Sequence, residues 1–195
     1  MKKSIFGFSV HDIVEMSLLC AVAIILDKFV KISIGATGGS INIAMFPLVV
    51  ISLRHGPFKG FVAGGIVFGL ITCLLDDYGI ATYPLEYLVS FGSIGLLGFF
   101  ARIINENLVK DNFKKSIFAY LIVVLCLIGC AVIRTLAGTI DSIILWDYEF
   151  VPALVYNISY VLPSMLIVII ITMIMLPYIK MLNNLFKTSY LSFEK

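Results

Sequence analysis

The sequence predicts an all-α integral membrane protein with six transmembrane helices, and three observations support that fold class. Of the 195 residues, 61% are hydrophobic, only 13% are charged, and the mean hydropathy is +1.07, whereas a soluble domain carries about 25% charged residues. The apolar residues form runs, and a helix needs about 20 of them to cross a bilayer. The basic residues fall almost entirely on one side of those runs. A net charge of only +2 gives no reason to expect a nucleic-acid partner.

Six apolar segments are expected to span the membrane, in the order 13–34, 42–53, 60–75, 84–104, 116–146 and 151–178. The first is interrupted near its far end by Asp27, Lys28 and Lys31. The second is short, so we expect it to be tilted or partly re-entrant. No internal repeat is visible, which argues against an inverted-repeat transporter. Residues 1–195 are therefore predicted to form a single domain.

The distribution of basic residues predicts that both termini are cytoplasmic. With that orientation, every Lys and Arg except Lys28, Lys31 and Arg134 falls on the cytoplasmic side. The outer loops, at 35–40, 76–77 and 147–149, are then neutral or acidic. This asymmetry follows the positive-inside rule and agrees with an even number of spans.

Glu86 is the most informative polar residue because it lies inside the apolar fourth span. A charge within a bilayer span costs about 3 kcal/mol unless it faces a partner, a cavity or a ligand. One interpretation is therefore a binding site. The alternative is a structural ion pair with Arg134 of the fifth span, and the sequence leaves both open.

Other polar and aromatic residues share the outer half of the last three spans with Glu86. These candidate binding residues are Glu86, Tyr87, Asp141, Trp146, Asn157 and Tyr160. A carboxylate accepts N–H hydrogen bonds, and aromatic rings stack on a planar or cationic ligand. The pattern predicts an outward-facing pocket, formed by helices 4–6 and the first outer loop, for a small nitrogen-rich or cationic ligand. Each residue also has a structural interpretation, such as an interfacial aromatic belt for Trp146 or an interhelical hydrogen bond for Asn157.

The sequence shows no catalytic set, so we expect neither an enzyme nor a cofactor or metal. His11 and His55 fall at the cytoplasmic ends of the spans, away from the outer cluster, and no nucleotide-binding motif is present. The four cysteines lie in apolar runs without metal-ligand spacing. Active transport by this chain would require a separate subunit that hydrolyses ATP.

Ser17 and Ala21 form a small-xxx-small pair on the first span. Small residues let membrane helices approach closely. The pair therefore predicts either a docking face for another membrane subunit or internal packing.

Three stretches of the chain carry a resemblance to a known family. They are residues 38–56, with a Gly-Gly-Ser-Ile-Asn entry to the second span, residues 84–96 with the Glu86-Tyr87 segment, and residues 134–163 with Trp146 and a Tyr-Asn-x-Ser-Tyr run. Across about residues 10–180, the chain resembles S components of energy-coupling factor (ECF) vitamin transporters, above all the thiamine-specific S component.

That resemblance implies the roles of several residues. Glu86 would bind the aminopyrimidine of thiamine, Tyr87 would line the pocket, Trp146 would stack on the ligand rings and Asn157 would make a polar contact. Ser17 and Ala21 would fall in the motif that docks the transmembrane coupling subunit. The implied partners are that subunit and two ATPase subunits, in the plasma membrane of a bacterium, with membrane lipid around them.

The chain also departs from the family pattern at several pocket positions. Gly138 replaces a histidine, Asp141-Ser142 replaces a Ser-Gly pair, Pro152 replaces a tyrosine, and the loop at 35–40 has no aromatic residue that could serve as a lid. Asp141 adds a second anion that could suit the thiazolium of thiamine or a different cation. The alternatives are therefore another vitamin, a thiamine precursor such as hydroxymethylpyrimidine, or a non-transport membrane scaffold.

Overall fold

The computed structural model describes residues 7–34, 39–108, 112–186, 188 and 190–191, and helices dominate it. The helices are α1 (Val10–Phe29), α2 (Met45–His55), α3 (Pro57–Asp76), α4 (Ile80–Phe99), α5 (Ala101–Asn107), α6 (Phe113–Trp146) and α7 (Phe150–Leu185). The two longest, α6 and α7, pack against each other. Basic residues 2, 3, 110, 187 and 195, which the sequence assigns to the cytoplasmic side, lie outside the described part of the chain.

Four helices are long and apolar enough to cross a membrane, namely α3, α4, α6 and α7. They correspond to the third, fourth, fifth and sixth predicted spans, with ends that differ by a few residues. The second predicted span is the short apolar helix α2. The chain is therefore a mostly helical, multi-pass membrane protein.

The first predicted span is wrong at its far end, because α1 stops at Phe29 and a β-hairpin follows. Strand β1 (Lys31–Ile34) pairs antiparallel with β2 (Gly39–Asn42), with Lys31 opposite Asn42 and Ile34 opposite Gly39. Apolar and polar residues alternate in β1, which suits a strand with two different faces. Residues 35–38, which form most of the first outer loop that is predicted to help form the pocket, lie outside the described residues.

Two helices contain a wide π-helical segment, at Val62–Phe68 in α3 and Tyr83–Val89 in α4. The two segments face each other through glycines. A Cβ atom at Gly65 would lie 2.8 Å from the carbonyl oxygen of Leu88, so only glycine allows this approach. Small residues thus bring α3 and α4 together, as in other membrane helix pairs.

Charged side chains join α1, α2 and α3 at one end of the molecule, and we call Asp12, Glu15, Arg54, His55 and Lys59 the basal cluster. Arg54 donates to both oxygens of Glu15. Lys59 Nζ lies 2.7 Å from Asp12 Oδ2. His55 Nδ1 lies 3.2 Å from Asp12 Oδ1, and its Nε2 lies 3.1 Å from Glu15 Oε2. These ion pairs connect the start of α1 to the end of α2 and the start of α3.

Candidate ligand-binding site

A cavity of about 330 Å³ lies at the end of α1 remote from the basal cluster. Asp27 of α1 lines it, and Asp27 is about 22 Å along the helix from Asp12 at a rise of 1.5 Å per residue. The volume is at the lower end of the range for small-molecule sites, which is about 300–1,000 Å³. The structure brings all six candidate residues of the sequence to this one cavity: Glu86, Tyr87, Asp141, Trp146, Asn157 and Tyr160.

Glu86 projects from the π-helical segment of α4 towards two polar residues of α7. The hydroxyl of Tyr160 donates to Asn157 Oδ1 at 2.5 Å and lies 3.4 Å from Glu86 Oε1. The amide of Asn157 donates to the carbonyl oxygen of Ala153 at 2.9 Å. Since the Tyr160 hydrogen bond to Glu86 is long, the carboxylate keeps most of its capacity to accept hydrogen bonds from a ligand.

Gly138 of α6 allows this group to assemble. A Cβ atom at Gly138 would lie 2.6 Å from Glu86 Oε2 and would also collide with Asn157 Oδ1. Both side chains therefore rest against the bare backbone of α6. A histidine, which the resemblance implies for relatives at this position, could not be accommodated with Glu86 and Asn157 in their present places.

The β-hairpin closes one side of the cavity through Tyr156. The amide N–H of Gly39 donates to the Tyr156 hydroxyl at 2.7 Å. The Tyr156 ring meets the Tyr160 ring edge to face, with centroids 5.4 Å apart. Trp146, at the end of α6, is 53% exposed and lines the cavity.

Sequence reasoning did not include the opposite wall, which α1 and α3 contribute. Lys28 Nζ lies 2.6 Å from Asp76 Oδ1 and 3.1 Å from Asp27 Oδ2. Tyr87 donates to the other oxygen of Asp76 at 3.0 Å, and Asn42 donates to Asp27 at 3.0 Å. The cavity is therefore wider than the predicted pocket of helices 4–6 and loop 1. The cations near the end of the first span were the sequence signal for this wall.

Arg134 lines the same cavity without pairing directly with Glu86. Its guanidinium carbon lies 4.6 Å from the centroid of the Phe91 ring. Its Nε and Nη1 atoms have no hydrogen-bond partner in the part of the chain that the structure describes. The guanidinium is close enough to interact electrostatically with Glu86 without a direct contact. This arrangement differs from the structural ion pair that the sequence left open.

Comparison with known proteins shows which family the chain belongs to. The model of the thiamine transporter protein family (Thia_YuaJ) matches residues 13–184. The chain belongs to that family. The thiamine transporter ThiT of Bacillus subtilis (strain 168) is 29% identical over 172 residues, which cover 82% of this chain and 86% of that protein. A solved structure of ThiT from Listeria monocytogenes superposes with a TM-score of 0.66 at 24% identity, covering 93% of this chain and 97% of that one.

Among the cavity residues of this thiamine transporter family member, Asp141 has a distinct environment. It is only 5% exposed and lines the cavity. Within the described residues, its carboxylate has no hydrogen bond or ion pair, although it is close enough to act on the charge of Glu86. The carboxylate of Asp141 therefore faces the cavity without a bonded partner among the described residues.

The small-residue pair of α1 is exposed to the surroundings of the bundle rather than packed inside it. Ser17 and Ala21 lie on the same exposed face as Val14, Leu18 and Ile25. This placement excludes the internal-packing interpretation within the part of the chain described here. As for metal sites, no group of three or more His, Cys, Asp or Glu in the described ranges is arranged to hold an ion.

Proposed function

We propose that the chain is the substrate-binding S component of an ECF-type importer and that it captures thiamine. Membership of the thiamine transporter protein family supports the substrate. The single structural observation that carries the proposal is the position of Glu86, which lines a cavity of ligand size beside Asn157 and Tyr160. A carboxylate within a membrane span is costly and by default indicates a functional site.

In this proposal, each cavity residue acts on one part of the ligand. The carboxylate of Glu86 accepts hydrogen bonds from the amino group of the aminopyrimidine. Tyr160 contacts that carboxylate, Asn157 orients the Tyr160 hydroxyl, and both contribute further polar contacts. Tyr87 forms the wall beside it, and Trp146 stacks on the ligand rings at the mouth of the cavity.

We further propose that the chain has six spans with both termini in the cytoplasm and the cavity open to the outside. The helices α1 and α2 would add two spans to the four that length and composition support. The basal cluster supports the orientation, since Arg54 and Lys59 belong to the end of the molecule remote from the cavity. Positive residues are enriched on the cytoplasmic side of membrane proteins.

The proposed partners follow from the exposed face of α1. Ser17 and Ala21 would dock the transmembrane coupling subunit, and two ATPase subunits would hydrolyse ATP. The chain itself would bind and release thiamine without chemical change, as one domain spanning residues 1–195, in the plasma membrane of a bacterium.

Thiamine titration of the detergent-purified protein tests the proposal, read by quenching of Trp146, the one tryptophan in the sequence. We expect saturable binding that Glu86→Gln weakens by about 100-fold, because the loss of a charged acceptor at a buried contact is worth about 3 kcal/mol. Glu149→Gln, at an exposed position that does not line the cavity, is the matched control and should bind as the wild type does.

Two results would contradict the proposal. Saturable binding that Glu86→Gln leaves intact would remove Glu86 from the site. A folded protein that binds no thiamine, but loses stability in Glu86→Gln, would favour the scaffold alternative.

A further inference from the structure

We propose that Asp141 is the counter-ion for the permanently cationic ring of the ligand, so that the cavity selects a charged two-ring ligand over its neutral isostere. This inference rests on the proposed function and assigns a separate role to the second carboxylate. Glu86 would recognise hydrogen-bond donors, whereas Asp141 would recognise charge.

The first argument is that Asp141, a residue that is 5% exposed and lines the cavity, has no bonded partner among the described residues. Four carboxylates line the cavity: Asp27, Asp76, Glu86 and Asp141. The first two are bonded to neighbouring side chains, and Glu86 has a contact with Tyr160. Among the described residues, Asp141 alone of the four has neither a hydrogen bond nor an ion pair. Its carboxylate is therefore available to a positive charge that enters the cavity.

The second argument is the position of Asp141 along α6. It follows Gly138 by three residues, and residues three apart lie on the same face of a helix. The helix rises about 4.5 Å over that interval. Since Glu86 rests against Gly138, a ligand ring held by Glu86 places the next ring beside Asp141, on the way to Trp146. Thiamine has this form, with an aminopyrimidine and a thiazolium joined by one methylene.

The third argument is chemical complementarity. The thiazolium nitrogen is quaternary and has no N–H to donate, so it needs a nearby negative charge rather than a directed hydrogen bond. The cationic side chains that line the cavity do not pair with Asp141 in the described structure. Arg134 lies over Phe91, Lys31 is on the exposed strand β1, and neither bonds to Asp141 in the described structure.

The test compares thiamine with 3-deazathiamine, a neutral isostere in which a thiophene replaces the thiazolium, by isothermal titration calorimetry. We expect the wild type to prefer thiamine by about 10- to 100-fold, the range expected for one partly buried charge pair. Asp141→Asn should bring that ratio close to one by weakening thiamine alone. Binding of the neutral isostere should stay unchanged or tighten, because Glu86 loses a like-charged neighbour.

Two controls separate this inference from the proposed function. Asp147→Asn makes the same chemical change at an exposed residue five positions after Ser142, outside the cavity lining, and should keep the wild-type ratio. Asparagine tolerates the left-handed backbone of that residue, whose φ is 53°. Glu86→Gln should weaken both ligands and should lower the ratio between them much less than Asp141→Asn does.

Each remaining outcome is decisive. Equal weakening of both ligands by Asp141→Asn would show a structural role and overturn the inference, as would a wild type that does not discriminate between them. Thiamine binding that is lost in Glu86→Gln but intact in Asp141→Asn would overturn the inference and leave the proposed function standing. A wild type that binds neither ligand would remove both. If Asp141→Asn does not fold, Asp141→Ser, which is smaller and also uncharged, provides the same comparison.

Discussion

Buried charges lie near both ends of α1. Within the described residues, those at one end have bonded partners and two of those at the other end do not. In the basal cluster, Arg54 is 2% and Lys59 1% exposed, and each bonds directly to a carboxylate of α1. In the cavity, Arg134 and Asp141 are equally buried, at 5% each, but neither has an ionic partner within the described residues. Breaking a buried pair is costly to the structure, whereas we propose that a buried charge without a partner interacts with a ligand. Burial alone would not distinguish the two ends.

The largest expected effect is on the stability of the basal cluster. Lys59→Met removes the cation that lies 2.7 Å from Asp12 Oδ2 and breaks a buried ion pair, which should lower the free energy of unfolding by about 3–5 kcal/mol. Unfolding in mixed micelles with a rising fraction of SDS measures this change. Lys114→Met, at an exposed residue of α6, is the control. Thiamine affinity of the folded protein should not change, and a selective loss of affinity would contradict the division between the two ends.

A smaller effect is expected at Gly138, where the cavity tolerates no side chain. Gly138→Ala places a methyl group 2.6 Å from Glu86 Oε2 and should weaken thiamine binding about tenfold, or about 1.4 kcal/mol. Gly129→Ala, in the same helix, meets no atom within 4 Å and should leave binding intact. It should also stabilise α6 by up to about 1 kcal/mol. Equal affinities in the two variants would show that Glu86 and Asn157 do not need their present positions.

The attachment of the hairpin to α7 should depend on Tyr156. Tyr156→Phe removes the 2.7 Å hydrogen bond from the Gly39 amide, which is worth about 1 kcal/mol. The Gly39 amide should then exchange its hydrogen about fivefold faster, as measured by mass spectrometry. Tyr178→Phe changes an exposed tyrosine of the same helix and should have no effect there. Unchanged exchange at Gly39 in Tyr156→Phe would mean that other contacts hold the hairpin.

The smallest expected effect is on the stability of Arg134→Met. The arginine is buried but leaves Nε and Nη1 without partners, so its replacement by an apolar side chain should change the free energy of unfolding by less than about 1 kcal/mol. Arg54→Met, in the basal cluster, should be destabilising by several times as much. A large loss of stability in Arg134→Met would remove the contrast between the two ends of the molecule.

The sequence predicted the long helices and the main cavity residues because both depend on strong local signals. Apolar runs identify α3, α4, α6 and α7, and an isolated charge inside a span identifies Glu86. The three basic residues that violate the positive-inside pattern also meet at the cavity: Lys31 and Arg134 line it, and Lys28 pairs with the lining residues Asp27 and Asp76. The basic residues that break the positive-inside pattern therefore indicate the cavity.

Features that depend on contacts between distant residues were not predictable from the sequence. The hairpin that ends α1 depends on a strand pairing and on Tyr156 from α7. The basal cluster joins Glu15 to Arg54 and Asp12 to Lys59 across 39 and 47 residues of sequence, respectively. The internal geometry of α4 was also missed, since apolar periodicity does not distinguish a π-helical turn from an α-helical one.

Glu86 lies in the π-helical segment Tyr83–Val89. Loss of a single residue from this segment would change which side chain faces the ligand. A π-helical turn accommodates one residue more than an α-helical turn, and each residue of an α-helix advances the face by about 100°. Deletion of one codon just before Glu86 would let the segment relax to an α-helix and would present a different side chain to the cavity. Related genes could thus acquire a new ligand through one such deletion, with every other wall of the cavity unchanged.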